Sequence, residues 1–190
     1  MSMKLAITSV MLPHWDLPQT FEKLAAFGYE GVELRVRDNP DDATVEPSFW
    51  GRHLADVSPA NILDRVAEIR AIVERTGLPV IAFAPRAIIG DDDLIDHLFK
   101  AARAIDDDNP PMIRIGAPRH DRTQPYMPQF DEARTGFARL ADRARAAGVK
   151  VLYEIHVGTV AVSCSRAAEL LRDLDPNHIG AIYDVPNMIR

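Results

Sequence analysis

Two carboxylates, Glu154 and Asp184, are the residues whose type and spacing point most directly to chemistry. Each ends a short apolar run of the kind that forms a buried strand. Neighbouring parallel strands lie about 4.8 Å apart, so carboxylates at two such ends can reach one divalent cation. His156 shares its side-chain direction with Glu154 in an extended chain. Carboxylate and imidazole ligands with open positions suit Mn²⁺, Mg²⁺, Co²⁺ or Zn²⁺.

The alternative interpretation of Glu154 and Asp184 has no metal. Both acids would then be solvated loop residues, or would pair with Arg35 or Arg119. If the acids are buried without a cation or a basic partner, their pKa values rise and the fold loses stability.

Apolar runs alternate with helical patterns, which predicts parallel strands joined by helices. The strand-like runs are residues 5–7, 32–34, 80–84, 112–115, 149–153 and 179–183. Apolar residues three and four positions apart predict five helices between them, with Asp16 and either Ser163 or Ser165 as N-caps. Three glycines follow helical patterns, as glycines at helix C-termini do: Gly28, Gly77 and Gly148.

The alternation fits an open doubly wound sheet or a barrel. A doubly wound nucleotide-binding sheet normally has glycines after its first strand, but residues 8–13 contain none, and no P-loop pattern is present. We therefore predict an α/β fold of the (β/α)8 TIM-barrel type. A full barrel has eight units and about 250 residues. The 190 residues are expected to form one domain, 1–190, with six of eight units and an incomplete C-terminus.

Composition limits the partners. The chain has 22 Lys+Arg and 28 Asp+Glu, a net charge of −6, which argues against nucleic acid and anionic membranes as partners. The single cysteine, Cys164, excludes an intramolecular disulfide framework and a multi-cysteine metal site. With neither a signal peptide nor a membrane-spanning run, we expect a cytoplasmic protein. Exposed edges of an unclosed barrel would favour a homo-oligomer.

Several basic residues lie in or near the fourth predicted strand, and their roles differ. Residues 119–122, Arg-His-Asp-Arg, follow the fourth strand and could hold a phosphate, with a solvated loop as the alternative. Arg114 lies within that strand and is expected to face outward and pair with an acid on a helix. His53 lies away from the predicted strand ends and receives no role.

The strand-end motifs carry a family resemblance. Residues 151–156 (VLYEIH) and 179–187 (IGAIYDVPN) resemble the xylose isomerase-like TIM-barrel superfamily, which includes sugar and sugar-phosphate isomerases and epimerases. Residues 4–8 (KLAIT) and 27–35 (FGYEGVELR) are similar to its first two units. The similarity extends from the first strand to the last residue.

The resemblance implies a metal site and a mechanism. Glu154 and Asp184 match the glutamate and aspartate that bind one divalent metal in the family. Asn187 stands where a histidine is common; it can hydrogen-bond a sugar hydroxyl but is a weaker metal ligand. The family's ligands on strands seven and eight have no counterpart in these residues. The implied reaction passes through an enediolate, with Glu154 moving the proton beside the carbonyl.

The resemblance also implies contacts with a sugar or sugar phosphate. Glu33 and Arg35 would hydrogen-bond hydroxyl groups, and His156 would orient the substrate. His14 and Trp15 would form a wall against its C–H groups. The alternatives are that Glu33 and Arg35 pair with each other or with neighbouring residues, and that His14 and Trp15 pack within their loop.

Three functional hypotheses follow. The first is a metal-dependent sugar isomerase or epimerase, or a related dehydratase. The second is a catalytically inactive, truncated barrel that binds a ligand or partner. The third is a metal hydrolase of the AP endonuclease type, which ranks lower because residues 84–86 and 116–118, at two strand ends, include no histidine.

Overall fold

The structure is a computed structural model that describes residues 3–188. Of these, residues up to 85 and residues 100–111 form one compact unit, and residues 86–99 together with those from 112 onward form another. No helix among the described residues is long and apolar enough to cross a membrane. The single domain predicted over 1–190 stays a prediction.

The first unit contains three strands that pair in chain order and run parallel. Its elements are β1 (Ala6–Thr8), a 3-10 helix (Ser9–Met11), α1 (Leu17–Ala26), β2 (Gly31–Arg35), α2 (Val66–Thr76) and β3 (Val80–Ala84). Thr8 of β1 lies opposite Glu33 of β2, which lies opposite Ala82 of β3. Val32 and Leu34 are fully buried, so Glu33 and Arg35 extend from the opposite face of β2.

The second unit repeats this arrangement. Its elements are β4 (Met112–Ile115), α4 (Tyr126–Ala147), β5 (Val151–Glu154), α5 (Cys164–Leu170), β6 (Ile179–Ile182) and α6 (Val185–Met188); α3 (Asp92–Ile105) is divided between the units at Lys100. β4, β5 and β6 are parallel and pair in chain order. Tyr153 packs edge-on against Phe137 of α4, with ring centroids 5.3 Å apart. Leu152 and Glu154 therefore belong to the face of the sheet turned away from α4.

Local signals fix several helix ends. Asp16 and Gln19 form a reciprocal capping box at the start of α1, and Ser163 accepts a hydrogen bond from the Arg166 amide at the start of α5. Gly77 and Gly148 end α2 and α4 with φ of +67° and +66°, a conformation that side chains other than glycine rarely adopt.

The predicted α/β fold of the TIM-barrel type is confirmed, with three parallel strands in each unit among the described residues. The predicted strands over 80–84 and 112–115 match β3 and β4 residue for residue. The short helix α6 was not predicted, and α2 begins at Val66 rather than near Ile62 because residues 58–65 form successive turns.

Candidate functional site

Glu154 is the last residue of β5, on the sheet face turned away from α4. Its carboxylate accepts a hydrogen bond from Nη1 of Arg114 at 3.1 Å. The two side chains are only 20% and 15% exposed, so this ion pair is shielded from bulk solvent much more than a surface pair. Arg114 therefore orients the Glu154 carboxylate at the carboxyl edge of the strand.

The expectation that Arg114 pairs with a helix acid is wrong. Arg114 lies opposite Leu152 in the register of β4 and β5, and Glu154 is the next residue with the same side-chain direction. Ile113 and Ile115 on either side are fully buried, so alternation alone places Arg114 on the other face of β4. That alternation is the sequence signal for the position of Arg114.

Asp184 follows β6 and precedes α6. Ile182 is the register partner of Glu154, so Asp184 lies two residues beyond it on the neighbouring strand. The side-chain Nδ2 of Asn187 donates a hydrogen bond to Oδ2 of Asp184 at 2.5 Å. The backbone N–H of Asn187 donates to the backbone carbonyl of Asp184 at 3.1 Å. The single turn of α6 thus holds Asn187 against the Asp184 carboxylate.

His156 lies in the exposed loop after β5. Its Nδ1 is 2.9 Å from the carbonyl oxygen of Val157, and its own carbonyl accepts a hydrogen bond from the Thr159 hydroxyl at 2.8 Å. These contacts are local to the loop, and orientation of a substrate by His156 stays a prediction.

In the first unit, Arg35 is 6% exposed and is bonded to backbone oxygens. Its Nη1 donates to the carbonyl of Arg37 at 2.8 Å, and its Nη2 donates to the carbonyls of Asp38 and Gly51, each at 3.2 Å. Glu33, on the same face of β2, is half-buried and forms no ion pair within residues 3–188. Arg35 therefore anchors the segment that follows β2, and a sugar contact by either side chain stays a prediction.

His53 belongs to the same anchored segment and was missed from the sequence. It is 2% exposed, with Nε2 3.3 Å from the carbonyl oxygen of Phe49. Its pKa is lowered to about 4, mainly by burial and then by the positive charges of Arg35, Arg37 and nearby His14, while the hydrogen bond to the Phe49 carbonyl opposes the shift. His53 is accordingly neutral at pH 7. No sequence pattern marks it, because its burial depends on how the whole segment folds back.

His14 and Trp15 lie between the 3-10 helix and α1. His14 is exposed. The Trp15 ring lies 6.5 Å from the Phe27 ring, and Nζ of Lys23 lies 4.5 Å above its centroid. These contacts support the packing alternative for Trp15, and the sugar wall stays a prediction.

The donor chemistry of the second unit fits part of a divalent-metal site. Among residues 3–188, no three His, Cys, Asp or Glu side chains form a group that could hold a metal ion. Glu154 and Asp184 nevertheless offer carboxylate oxygens from neighbouring strands, and Asn187 offers an amide oxygen. Such oxygen donors suit a hard cation such as Mg²⁺ or Mn²⁺. They would supply two or three ligands, and water, substrate or other segments would supply the rest.

The sequence profile of the xylose isomerase-like TIM barrel family matches residues 21–190. The chain belongs to this family. A curated relative, the inosose dehydratase of Lacticaseibacillus casei, is 28% identical over 61 residues, which are 32% of this chain and 20% of the relative.

Solved structures share the fold at low identity. The IOLI protein, solved with a bound zinc atom, is 14% identical with a TM-score of 0.68, covering 98% of this chain and 64% of that protein. The 3-keto-D-glucoside 4-epimerase of E. coli is 14% identical with a TM-score of 0.65, and the match covers 95% of this chain and 67% of the epimerase. The chain thus spans a fifth of the curated relative and about two thirds of these structures.

Proposed function

We propose that this chain contributes the metal-binding and proton-transfer carboxylates of a divalent-metal-dependent enzyme that acts on a sugar or sugar derivative. The reaction class is isomerisation or epimerisation through an enediolate, and dehydration beside a carbonyl begins with the same proton removal. The zinc in the IOLI protein and the activities named for the inosose dehydratase and the epimerase support this proposal.

One observation carries the proposal. Glu154 and Asp184 lie at the carboxyl ends of neighbouring parallel strands, and the Glu154 side chain is only 20% exposed and paired with Arg114. Carboxyl ends of strands are where TIM-barrel enzymes place their working groups. The arginine holds this carboxylate in one position, and the fold keeps most of it out of water.

The chemistry assigns a role to each residue. A divalent cation bound there would polarise a ketone and the hydroxyl on the adjacent carbon. The C–H of that hydroxyl-bearing carbon would then become more acidic. Glu154 would accept or return that proton, as a positioned carboxylate does in general acid–base catalysis. Arg114 would hold the carboxylate in one orientation, and Asn187 would orient Asp184 while its amide hydrogen-bonds a substrate hydroxyl.

Thermal unfolding with and without Mn²⁺, Mg²⁺, Co²⁺ or Zn²⁺ tests the metal site. A ligand that binds only the folded chain at 100 times its Kd adds about 2.7 kcal/mol, which raises the melting temperature by roughly 5–10 °C. We expect such a rise for at least one metal, and its loss in Glu154→Gln. Glu74→Gln is the matched control, since it removes one exposed glutamate of α2.

Deuterium uptake from D₂O tests the reaction class. In the presence of the metal, NMR should show exchange at the carbon beside the carbonyl of a ketose or inosose, and Glu154→Gln should abolish it. An equal metal response in wild type and Glu154→Gln, or a cooperative transition that no metal shifts, would contradict the proposed site.

Asn187 favours a second candidate. In this family a histidine is common at the position of Asn187. The side-chain amide of Asn187 already donates a hydrogen bond to Asp184. A barrel that binds a ligand without turnover would bind metal and sugar in these experiments and show no deuterium uptake.

A further inference from the structure

A basic groove opens beside the carboxyl ends of β5 and β6. It has a volume of about 660 Å³, and the residues that define it here are His120, Arg122, Thr159, Ser163, Arg166 and Asn187. Its lining within residues 3–188 includes two arginines, a histidine and several hydroxyl groups, but no carboxylate. This donor set matches an anion with several oxygen acceptors.

Three acids border the groove without belonging to its lining: Glu169, Asp121, and Asp184, which accepts a hydrogen bond from Asn187. Glu169 pairs with Arg166 at 2.7 Å. The Asp121 carboxylate accepts hydrogen bonds from the amide and hydroxyl of Thr123, at 2.9 and 2.7 Å, and so is directed into its own turn. Arg122 forms no ion pair with any residue in the described range 3–188.

Two aromatic rings hold the Arg166 side chain at the groove. The Arg166 guanidinium lies 5.3 Å from the centroid of the Tyr126 ring and 5.5 Å from that of Phe130. The Tyr126 hydroxyl donates to the carbonyl of Val160 at 2.7 Å, and His120 packs edge-on against the same ring at 5.4 Å. Groups already fixed in place lose little conformational entropy when a ligand binds.

Asn187 connects the groove with the strand-end carboxylates. It lines the groove, and its side chain donates to Asp184. A molecule that reaches from the groove past Asn187 therefore arrives at the carboxylate that the proposed function assigns to the metal.

We propose that the basic groove binds an anionic group, a phosphate or a carboxylate, of the substrate whose reacting carbons lie near Glu154 and Asp184. The inference rests on the proposed function and narrows its substrate class to anionic sugar derivatives. Within residues 119–122, it assigns an anion-binding role to His120 and Arg122.

Calorimetric titration of the metal-free chain tests this directly. The probes are inorganic phosphate, D-fructose 6-phosphate, D-glucuronate and D-fructose. We expect at least one anionic sugar to bind about tenfold more tightly than fructose, the size of a charge-assisted contact. Preference for fructose 6-phosphate over glucuronate identifies a phosphate, and the reverse identifies a carboxylate. Equal affinity for all three sugars would overturn the inference.

Four variants locate the anion. Arg122→Gln should weaken binding about tenfold, whereas Arg172→Gln, which removes an exposed arginine outside the groove, should change it less than twofold. Glu169→Gln frees Arg166 and should tighten binding about threefold. Asp173→Asn is its matched control, since Asp173 is 79% exposed and asparagine tolerates its φ of +69°.

Opposite shifts from Arg122→Gln and Glu169→Gln exclude general damage to the fold, and a cooperative unfolding transition checks each variant. If Arg172→Gln weakens binding as much as Arg122→Gln, net charge explains the affinity and the groove does not. Because binding is measured without metal and without turnover, failure of the metal and deuterium experiments remains distinguishable from failure here.

Discussion

The two units differ in how their arginines near strand carboxyl ends are used: those of the first unit are buried and bonded to backbone, and those of the second lie at a groove. In the first unit, Arg35 is 6% exposed and donates to three backbone carbonyls, and Nε of buried Arg37 donates to the carbonyl of Ala84 at 3.0 Å. In the second unit, Arg122 is exposed, and Arg166 lies on aromatic rings at the edge of a groove.

The difference shows that residue type and strand position do not determine an arginine's role. A guanidinium has five N–H donors, and carbonyls that occupy them in a buried site make the side chain part of the fold. A guanidinium left at a groove wall keeps donors for a ligand.

The largest expected effect comes from Arg35→Met. The substitution leaves the carbonyls of Arg37, Asp38 and Gly51 without a donor in a mostly buried site, so we expect a loss of about 2–4 kcal/mol in the free energy of unfolding. Urea denaturation measures it. Arg122→Gln, at an exposed side chain, should change stability by less than about 0.5 kcal/mol. Equal losses would show that the two arginines do not differ in structural role.

A smaller effect concerns pH and His53. Its pKa is about 4 in the folded chain and near 6.5 when unfolded, so the unfolded state binds more protons between these values. Stability is therefore fully present above pH 6.5 and falls as the pH drops towards 4. The loss is at most about 3 kcal/mol, and less where water reaches the ring.

Unfolding measured from pH 7 to 4 tests the role of His53. His53→Gln should flatten the pH dependence relative to wild type, although it lowers stability at pH 7. His156→Gln serves as the control, because an exposed imidazole is solvated in the folded and in the unfolded chain. Identical slopes for wild type and His53→Gln would exclude His53 as a source of the acid sensitivity.

Local features of the fold could be predicted from the sequence, and distant partners could not. The capping box of Asp16 and the terminal Gly148 depend on neighbours within a few residues, so a short pattern encodes them. The acceptors of Arg35 are backbone carbonyls, which every residue type carries equally. The partner of Arg114 lies 40 residues away and is fixed by strand register. The strand-end carboxylates were predictable because barrel topology brings carboxyl ends together.

The smallest effect is the coupling between Arg114 and Glu154. A double-mutant cycle with Arg114→Met and Glu154→Gln should give about 1 kcal/mol in the metal-free chain, between values for exposed and fully buried pairs. This pair is intermediate between Arg35, bonded to backbone, and Arg122, open to a ligand. Arg114 is paired with Glu154, and in the proposed site Glu154 would also bind the divalent cation.

The same cycle in saturating Mn²⁺ decides whether that sharing occurs. A cation on Glu154 competes with Arg114 for its oxygens, so the coupling should fall, and Arg114→Met alone should bind Mn²⁺ more tightly because one nearby positive charge is gone. Asp184→Asn should weaken Mn²⁺ binding in both backgrounds. Coupling unchanged by Mn²⁺ would show that Glu154 stays with Arg114, and the acid would then belong to the fold, as Arg35 does in the first unit.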